Sequence, residues 1–372
     1  MSRLNESLLY KLNQRQAAGN LRRLSVAGTG IDFYSNDYLG LSTTGILEKL
    51  TNEANAGTAS GATGSRLISG NSAAMETLER HIAAFHGTEA ALLYNSGYDA
   101  NTGLISAIAD RHTIILYDEL CHASIIDGIR LSLCKGKFTF RHNDLHDLQH
   151  LLQRHTAPAT TVLVITESVF SMDGDFAPLA AIAGLCNTAG AELIVDEAHA
   201  TGVFGPKGAG LVSSMGLEEQ VFARVHTFGK ALGCHGAVVT CSAMLKEYLV
   251  NFSRSFIYTT ALPPHSVRAI QCAYNYLGCA TFTHQPLHDL ITYFHQKTAG
   301  NPAWVPSHSP VQALITDSNT TSLTLAEKAA HAGYLVKAVL SPTVPAGKER
   351  IRVCLHAFNT KEDVEGLLGV VR

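Results

Sequence analysis

Between about residues 72 and 280 the chain alternates helical patterns with short β-rich runs, and no other feature constrains its fold as tightly. The runs are Ala90–Tyr94, Thr113–Tyr117, Thr161–Ile165, Glu192–Val195 and Ala237–Thr240, with helical segments such as 74–85 between them. Strands separated by helices cannot pair as tight hairpins, so the alternation predicts a mostly parallel sheet covered by helices. Leu193-Ile194-Val195 is continuously apolar, as a strand buried on both faces requires. The last hundred residues differ. There, strands at 311–315 and 349–355 surround helical stretches near 322–333 and 360–371, which predicts a small α+β domain. Residues 1–30 read as a polar helix with a basic end at Leu21-Arg22-Arg23, and Ile31–Leu41 as a strand that breaks into a polar turn. The expected division is an N-terminal helix and arm over 1–42, a large domain over 43–280 and a small C-terminal domain over 281–372.

Composition narrows what such a chain can do. With 372 residues, 46% of them hydrophobic and 16% charged, it can bury a large core. A net charge of −3, from 28 Lys and Arg against 31 Asp and Glu, provides no general attraction to nucleic acid or anionic membrane. Any anion must therefore be met locally. The eight cysteines form no C-x-x-C pair, the first residues do not resemble a signal peptide, and no apolar run reaches the roughly twenty residues that span a bilayer. Reduced thiols and a cytoplasmic location are expected. The eighteen histidines show no H-E-x-x-H or related spacing, so no metal is expected.

Chemistry enters at Asp196 and Lys230. Asp196 closes the apolar run 192–195, with His199 three residues later, and Lys230 follows Thr227-Phe228-Gly229. Ligands of open α/β sheets collect at the carboxyl ends of strands, which is where Asp196 stands. A pyridoxal phosphate (PLP) site needs an acid that keeps the pyridine nitrogen protonated and a lysine that carries the cofactor as a Schiff base. The other expected strand ends supply suitable partners. Ser96-Gly97-Tyr98 offers free backbone N–H groups to a phosphate at a helix start, His122 follows the run 113–117 and can stack on a flat ring, and Thr166–Asp175 is a polar turn after the run 161–165. Four strand ends thus converge on one site. Cys121 and Cys234, beside site residues, read as small buried filler.

The chain resembles the α-oxoamine synthases of fold-type I PLP enzymes over nearly its whole length. The motifs that carry the resemblance are Ser35-Asn36-Asp37-Tyr38-Leu39-Gly40, Gly64-Ser65-Arg66-Leu67, Asn95-Ser96-Gly97-Tyr98, Phe170-Ser171-Met172-Asp173-Gly174-Asp175, Asp196-Glu197-Ala198-His199, Thr227-Phe228-Gly229-Lys230 and Tyr258-Thr259-Thr260. Membership implies a fold-type I PLP transferase, α/β, with a seven-stranded-type sheet. It also implies roles. Lys230 holds the cofactor and then acts as the general base. Asp196 pairs with the ring nitrogen, His199 and Ser171 meet the phenolic oxygen, and His122 stacks on the ring. Gly97, Tyr98 and Thr227 hold the phosphate, with Thr259 or Thr260 reaching across from a second subunit of a homodimer. Arg352 binds the amino-acid carboxylate, Asn36 is a further substrate contact, and Arg22 meets the far end of the acyl chain.

The Gly64-Ser65-Arg66-Leu67 and Gly70-Asn71-Ser72 pattern is most similar to the branch that joins L-alanine to a pimeloyl thioester in biotin synthesis, with either coenzyme A or acyl carrier protein as the thiol. Three alternatives stay open from sequence. Sister synthases use glycine with acetyl, succinyl or fatty acyl thioesters and share every cofactor residue. Silent partner subunits lack the lysine, which is present here. Aminotransferases or decarboxylases of the same fold keep Asp and Lys but are not expected to carry the Ser-Asn-Asp-Tyr-Leu-Gly and Phe-Ser-Met-Asp-Gly-Asp segments.

Overall fold

The computed structural model of the chain describes residues 1–24, 26, 28–54 and 59–371, in two compact units. The larger unit comprises 36–171 and 176–285. It is built on a sheet of seven strands, β1 (Ala90–Tyr94), β2 (Thr113–Asp118), β3 (Gly136–Phe140), β4 (Thr161–Glu167), β5 (Glu192–Asp196), β6 (Ala223–Thr227) and β7 (Ala237–Cys241). Their spatial order is β1-β7-β6-β5-β4-β2-β3. All neighbours are parallel except β7, which runs against both β1 and β6. The sheet is therefore mostly parallel, as the alternation predicts. Central strands β4 and β5 are buried along nearly their whole length, which explains their unbroken apolar runs.

Two strands were not legible in the sequence. β3 lies at the sheet edge and exposes Lys137, Phe138 and Thr139, so it lacks the apolar run of its neighbours. β6 hides for the opposite reason, because it is buried yet carries Arg224 and His226. Arg224 donates to the His86 carbonyl and, at 3.1 Å, to Ser213 Oγ. His226 bonds Thr201 Oγ1 at 2.8 Å and stacks on His86 with ring centroids 3.9 Å apart. His86 in turn donates from Nδ1 to the Ala209 carbonyl at 3.1 Å and accepts from the Tyr274 hydroxyl at 2.9 Å. Every polar side chain here is matched, so burial carries no desolvation penalty for an unpaired group.

This pair of rings makes the fold acid-sensitive. Burial, and then Arg224, hold His86 at about 3, and burial with His86 and Arg224 beside it holds His226 well below its ordinary 6.5. Both are neutral when folded but take up a proton below pH 6.5 when unfolded, so they contribute stability that is lost as pH falls below 6.5. In urea titrations between about pH 6 and 4, His226→Gln is expected to flatten the fall of unfolding free energy by ~1.4 kcal/mol per pH unit relative to the native chain. Parallel pH profiles for the two proteins contradict this reading.

The second unit gathers 1–35, 172–175 and 286–372. Strands β8 (Val311–Ile315), β9 (Lys337–Val339) and β10 (Arg350–Cys354) form an antiparallel sheet in the order β9-β10-β8, with helices Asn319–His331 and Lys361–Val370. Ile31–Asp32 pairs in parallel with Tyr334–Leu335. The segment 172–175 is fastened by an Asp173–Arg350 ion pair and by Ser307 Oγ, which donates to the Gly174 carbonyl at 2.8 Å. The first helix, Arg3–Ala17, ends earlier than expected, because Gly19 turns the chain at a φ of +65°. Leu21-Arg22-Arg23 therefore lies in irregular backbone beyond the helix rather than at its end. No helix among the described residues is long and apolar enough to cross a membrane.

Candidate active site

The carboxyl ends of five parallel strands in the larger unit open on one cavity of about 270 Å³. After β1, Ser96 caps helix α1 (Gly97–Ile108), its Oγ accepting from the Asp99 backbone N–H at 3.1 Å. This leaves the first N–H groups of α1, at Gly97 and Tyr98, on the cavity wall. After β2 come His122 and Ser124 at the start of helix α2 (Ala123–Leu131). β4 contributes Glu167, β5 contributes Asp196, Ala198 and His199, and β6 contributes Thr227, Gly229 and Lys230. Asn36 completes the wall.

Asp196 is 5% exposed, and its carboxylate is held in place from two sides. Asn101 Nδ2 donates to Oδ2 at 2.7 Å and the Ala198 N–H to Oδ1 at 2.8 Å. The same Asn101 amide donates to Ser124 Oγ at 3.0 Å, and Ser124 bonds His122 Nδ1 through its hydroxyl at 2.8 Å and its backbone N–H at 3.2 Å. Since the backbone N–H must donate, Nδ1 accepts and the ring proton sits on Nε2. Desolvation lowers the His122 pKa; Asp196 opposes this and Lys230 adds to it. His122 thus favours its neutral form, which suits stacking on a cationic ring.

His199 is set by a chain that begins at Asn36. The Tyr38 hydroxyl donates to Asn36 Oδ1 at 3.1 Å and lies 2.7 Å from His199 Nδ1. Asp37 holds the following turn through the Thr43 N–H at 2.7 Å, and Glu197 anchors the segment after β5 by accepting from the Leu211 and Val212 N–H groups at 2.8 and 3.0 Å. Lys230 stands half-buried in the tight connection to β7, where its carbonyl accepts from Gly233 N–H at 2.9 Å. Burial pushes the Cys121 thiol up and the Cys234 thiol up to about 12, so neither is a ready thiolate.

Of the residues singled out in the sequence, Lys230, Asp196, His199, His122, Gly97, Tyr98, Thr227 and Asn36 line this cavity. Ser171 is half-buried and does not line it. Thr259 and Thr260 belong to a neighbouring small pocket, where Asn95 Nδ2 donates to Thr259 Oγ1 at 3.0 Å and to the Thr260 carbonyl at 2.8 Å. In the smaller unit, exposed Arg22 donates to Thr343 Oγ1 at 3.2 Å, and buried Arg352 lies 3.0 Å from Cys354 Sγ. Asn101, Ser124, Glu167 and His235 also reach the cavity but were not singled out, because each reads in sequence as an ordinary polar helix or turn residue.

These residues fit PLP. Thr227, at the end of β6, packs against Gly97 at the start of α1, and its buried Oγ1 has no hydrogen-bond partner; a leftover donor next to a helix start is what a phosphate would satisfy. At Gly97 a Cβ would stand 2.5 Å from Thr227 Cγ2, so only glycine lets the start of α1 pack this closely on Thr227. Asp196 supplies the acid and Lys230 the amine around the same cavity. Gly97→Ala is expected to weaken PLP binding about tenfold or more, equivalent to ~1.4 kcal/mol. Equilibrium dialysis with PLP checks it, and an unchanged Kd contradicts the phosphate assignment.

Comparison with known proteins points the same way. Residues 29–371 match the family described as aminotransferase class I and II. An 8-amino-7-oxononanoate synthase from Emericella nidulans is 41% identical, covering 99% of this chain and 95% of its own. Among solved structures, a serine palmitoyltransferase variant from S. paucimobilis with a bound PLP–myriocin aldimine superposes with a TM-score of 0.90 at 26% identity, over 100% of this chain and 98% of that one. An 8-amino-7-oxononanoate synthase from Francisella tularensis gives a TM-score of 0.79 at 29% identity, over 92% and 96%.

Proposed function

Because the chain belongs to the α-oxoamine synthase branch of the class I and II aminotransferase family, with 8-amino-7-oxononanoate synthase relatives along its whole length, we propose that it joins L-alanine to a pimeloyl thioester, releasing thiol, CO2 and 8-amino-7-oxononanoate. Bound in the cavity, PLP supplies a cationic ring that accepts the electron pair left when a bond at the substrate's Cα breaks. The observation that carries the reading is the set of an acid, a lysine and an unpartnered hydroxyl around one cavity.

In this reading the chain's own residues divide the work. Asp196 keeps a proton on the ring nitrogen, its carboxylate held by Asn101 and the Ala198 N–H. The Gly97 and Tyr98 N–H groups and the Thr227 hydroxyl hold the phosphate, with Thr259 or Thr260 of a second copy completing it in a homodimer. His122 covers the ring face, and His199, set by Tyr38, meets the phenolic oxygen together with Ser171. Arg352, whose planar fork suits a carboxylate, orients the amino acid, with Asn36 as a further contact and Arg22 toward the far end of the acyl chain. Lys230 takes the Cα proton as general base. The carbon so freed forms a bond to the acyl carbonyl as the C–S bond breaks and thiolate leaves. Loss of CO2 then breaks the bond to the carboxylate, and Lys230 returns a proton to Cα.

A substrate panel tests the choice of partners. PLP-loaded protein is given L-alanine or glycine with pimeloyl, acetyl, succinyl or palmitoyl coenzyme A, or with pimeloyl carrier protein, and free thiol is followed. Release with alanine and a pimeloyl thioester is expected. Release with glycine and another acyl chain moves the enzyme to a sister activity, which the 26% identity to serine palmitoyltransferase favours less than the 41% identity above.

A further inference from the structure

Glu167 was not among the residues expected at the site, yet it lines the same cavity as Asp196 and Lys230 and is only 2% exposed. β4 and β5 run parallel with Glu167 in register with Asp196, so the two carboxyl groups occupy neighbouring positions on one side of the sheet. Two buried anions this close repel strongly in a medium of low dielectric, and such a pair shares one proton between its members. The donors decide which member keeps it. Asp196 accepts from the Asn101 amide and the Ala198 N–H, both of which favour a charged carboxylate, whereas Glu167 Oε1 accepts from one backbone group, the His122 N–H at 2.6 Å.

We propose that Glu167 works as a neutral carboxylic acid, a positioning residue that grips the backbone of His122 and leaves Asp196 as the single anion at the cavity floor. Burial, Asp196 and Asp118 all raise its hold on the proton, against Lys230 and the His122 N–H. Cys121 and His122 are the other titratable groups beside it, and His199 lines the same cavity; Cys121 is uncharged because burial keeps its thiol protonated. A neutral Glu167 accepts the His122 N–H through its carbonyl oxygen and fixes where the ring of His122 stands. An ionised Glu167 would instead compete with Asp196 for any cation placed between them. The inference rests on the proposed function only in taking the cofactor's ring nitrogen to lie at Asp196.

The test compares native protein with E167Q and E167A. Infrared difference spectra between neutral and alkaline pH, taken with and without PLP, read the carboxylic-acid carbonyl directly. The expected result is an acid band in the native protein that E167Q lacks. In the PLP-loaded proteins the pH profile of cofactor absorbance is expected to coincide for native and E167Q, since glutamine is neutral and keeps the acceptor for the His122 N–H. E167A, which loses that acceptor, is expected to lower kcat about tenfold while PLP stays bound. No acid band in native protein, or an absorbance profile moved by about one pH unit in E167Q as the loss of a charge requires, overturns the proposal. Failure of every protein to bind PLP instead refutes the proposed function, and the infrared band without PLP still decides the state of Glu167.

Discussion

Lys230→Ala is expected to lower turnover by about four orders of magnitude or more, the scale of loss when a group that does covalent work is removed. Lys230 is the one lysine among the described residues that line the cavity, and in the proposed reaction it carries both the attachment of the cofactor and the movement of the Cα proton. Its half-buried position in the β6–β7 connection is set by backbone bonds, Phe228 N–H to the Gly236 carbonyl at 2.9 Å and Cys234 N–H to the Phe228 carbonyl at 2.8 Å. These backbone bonds do not involve the side chain, so the variant keeps the loop. It should also lose the visible absorbance band of protein-attached PLP. Retained thiol release in a correctly folded Lys230→Ala protein would show that another group moves the proton.

Asp196→Asn is the second large effect. The substitution is nearly isosteric: the Ala198 N–H can still donate to the amide oxygen, while Asn101, which donated to the other oxygen, must turn its amide over to accept. What disappears is the negative charge proposed to stand opposite the ring nitrogen. A preorganised charge of this kind contributes most where charge develops during reaction, and losing it is expected to slow exchange of the alanine Cα proton about 10²- to 10³-fold. Binding of PLP should fall far less, because the proposed phosphate contacts at Gly97, Tyr98 and Thr227 and the proposed attachment to Lys230 remain. Exchange rates are followed by proton NMR of L-alanine in D2O with loaded enzyme. Equal rates for variant and native protein would remove Asp196 from its role.

What the sequence reveals of this site, and what it hides, follows from which constraints are local. Apolar runs mark β1, β2, β4, β5 and β7 because a strand buried on both faces has no room for polar residues unless each is matched. β6 escapes because its Arg224 and His226 are matched by residues as distant in sequence as His86, a pairing no window of neighbouring residues contains. Asp196 and Lys230 are legible because an acid at a strand end and a lysine after a Thr-x-Gly turn are what the proposed chemistry demands. Their supporting shell is not. Asn101 reaches Asp196 across 95 positions and Tyr38 reaches His199 across 161, and each reads locally as an ordinary helix or turn residue. Glu167 is hidden by its own position, since a Glu at the end of a strand ordinarily faces water. The helix end at Arg22 misled because basic residues commonly close a helix, while here Gly19 had already stopped it.

The central claim is that the cavity drives a decarboxylative condensation rather than amino-group transfer. The most direct test gives PLP-loaded protein L-alanine labelled with carbon-13 in its carboxyl group, together with a pimeloyl thioester, and follows labelled CO2 and free thiol together. The two are expected in equal amounts, with an unlabelled amino ketone as the remaining product. Label retained in pyruvate, with no thiol released, would contradict it and assign the same fold and cofactor site to a transaminase.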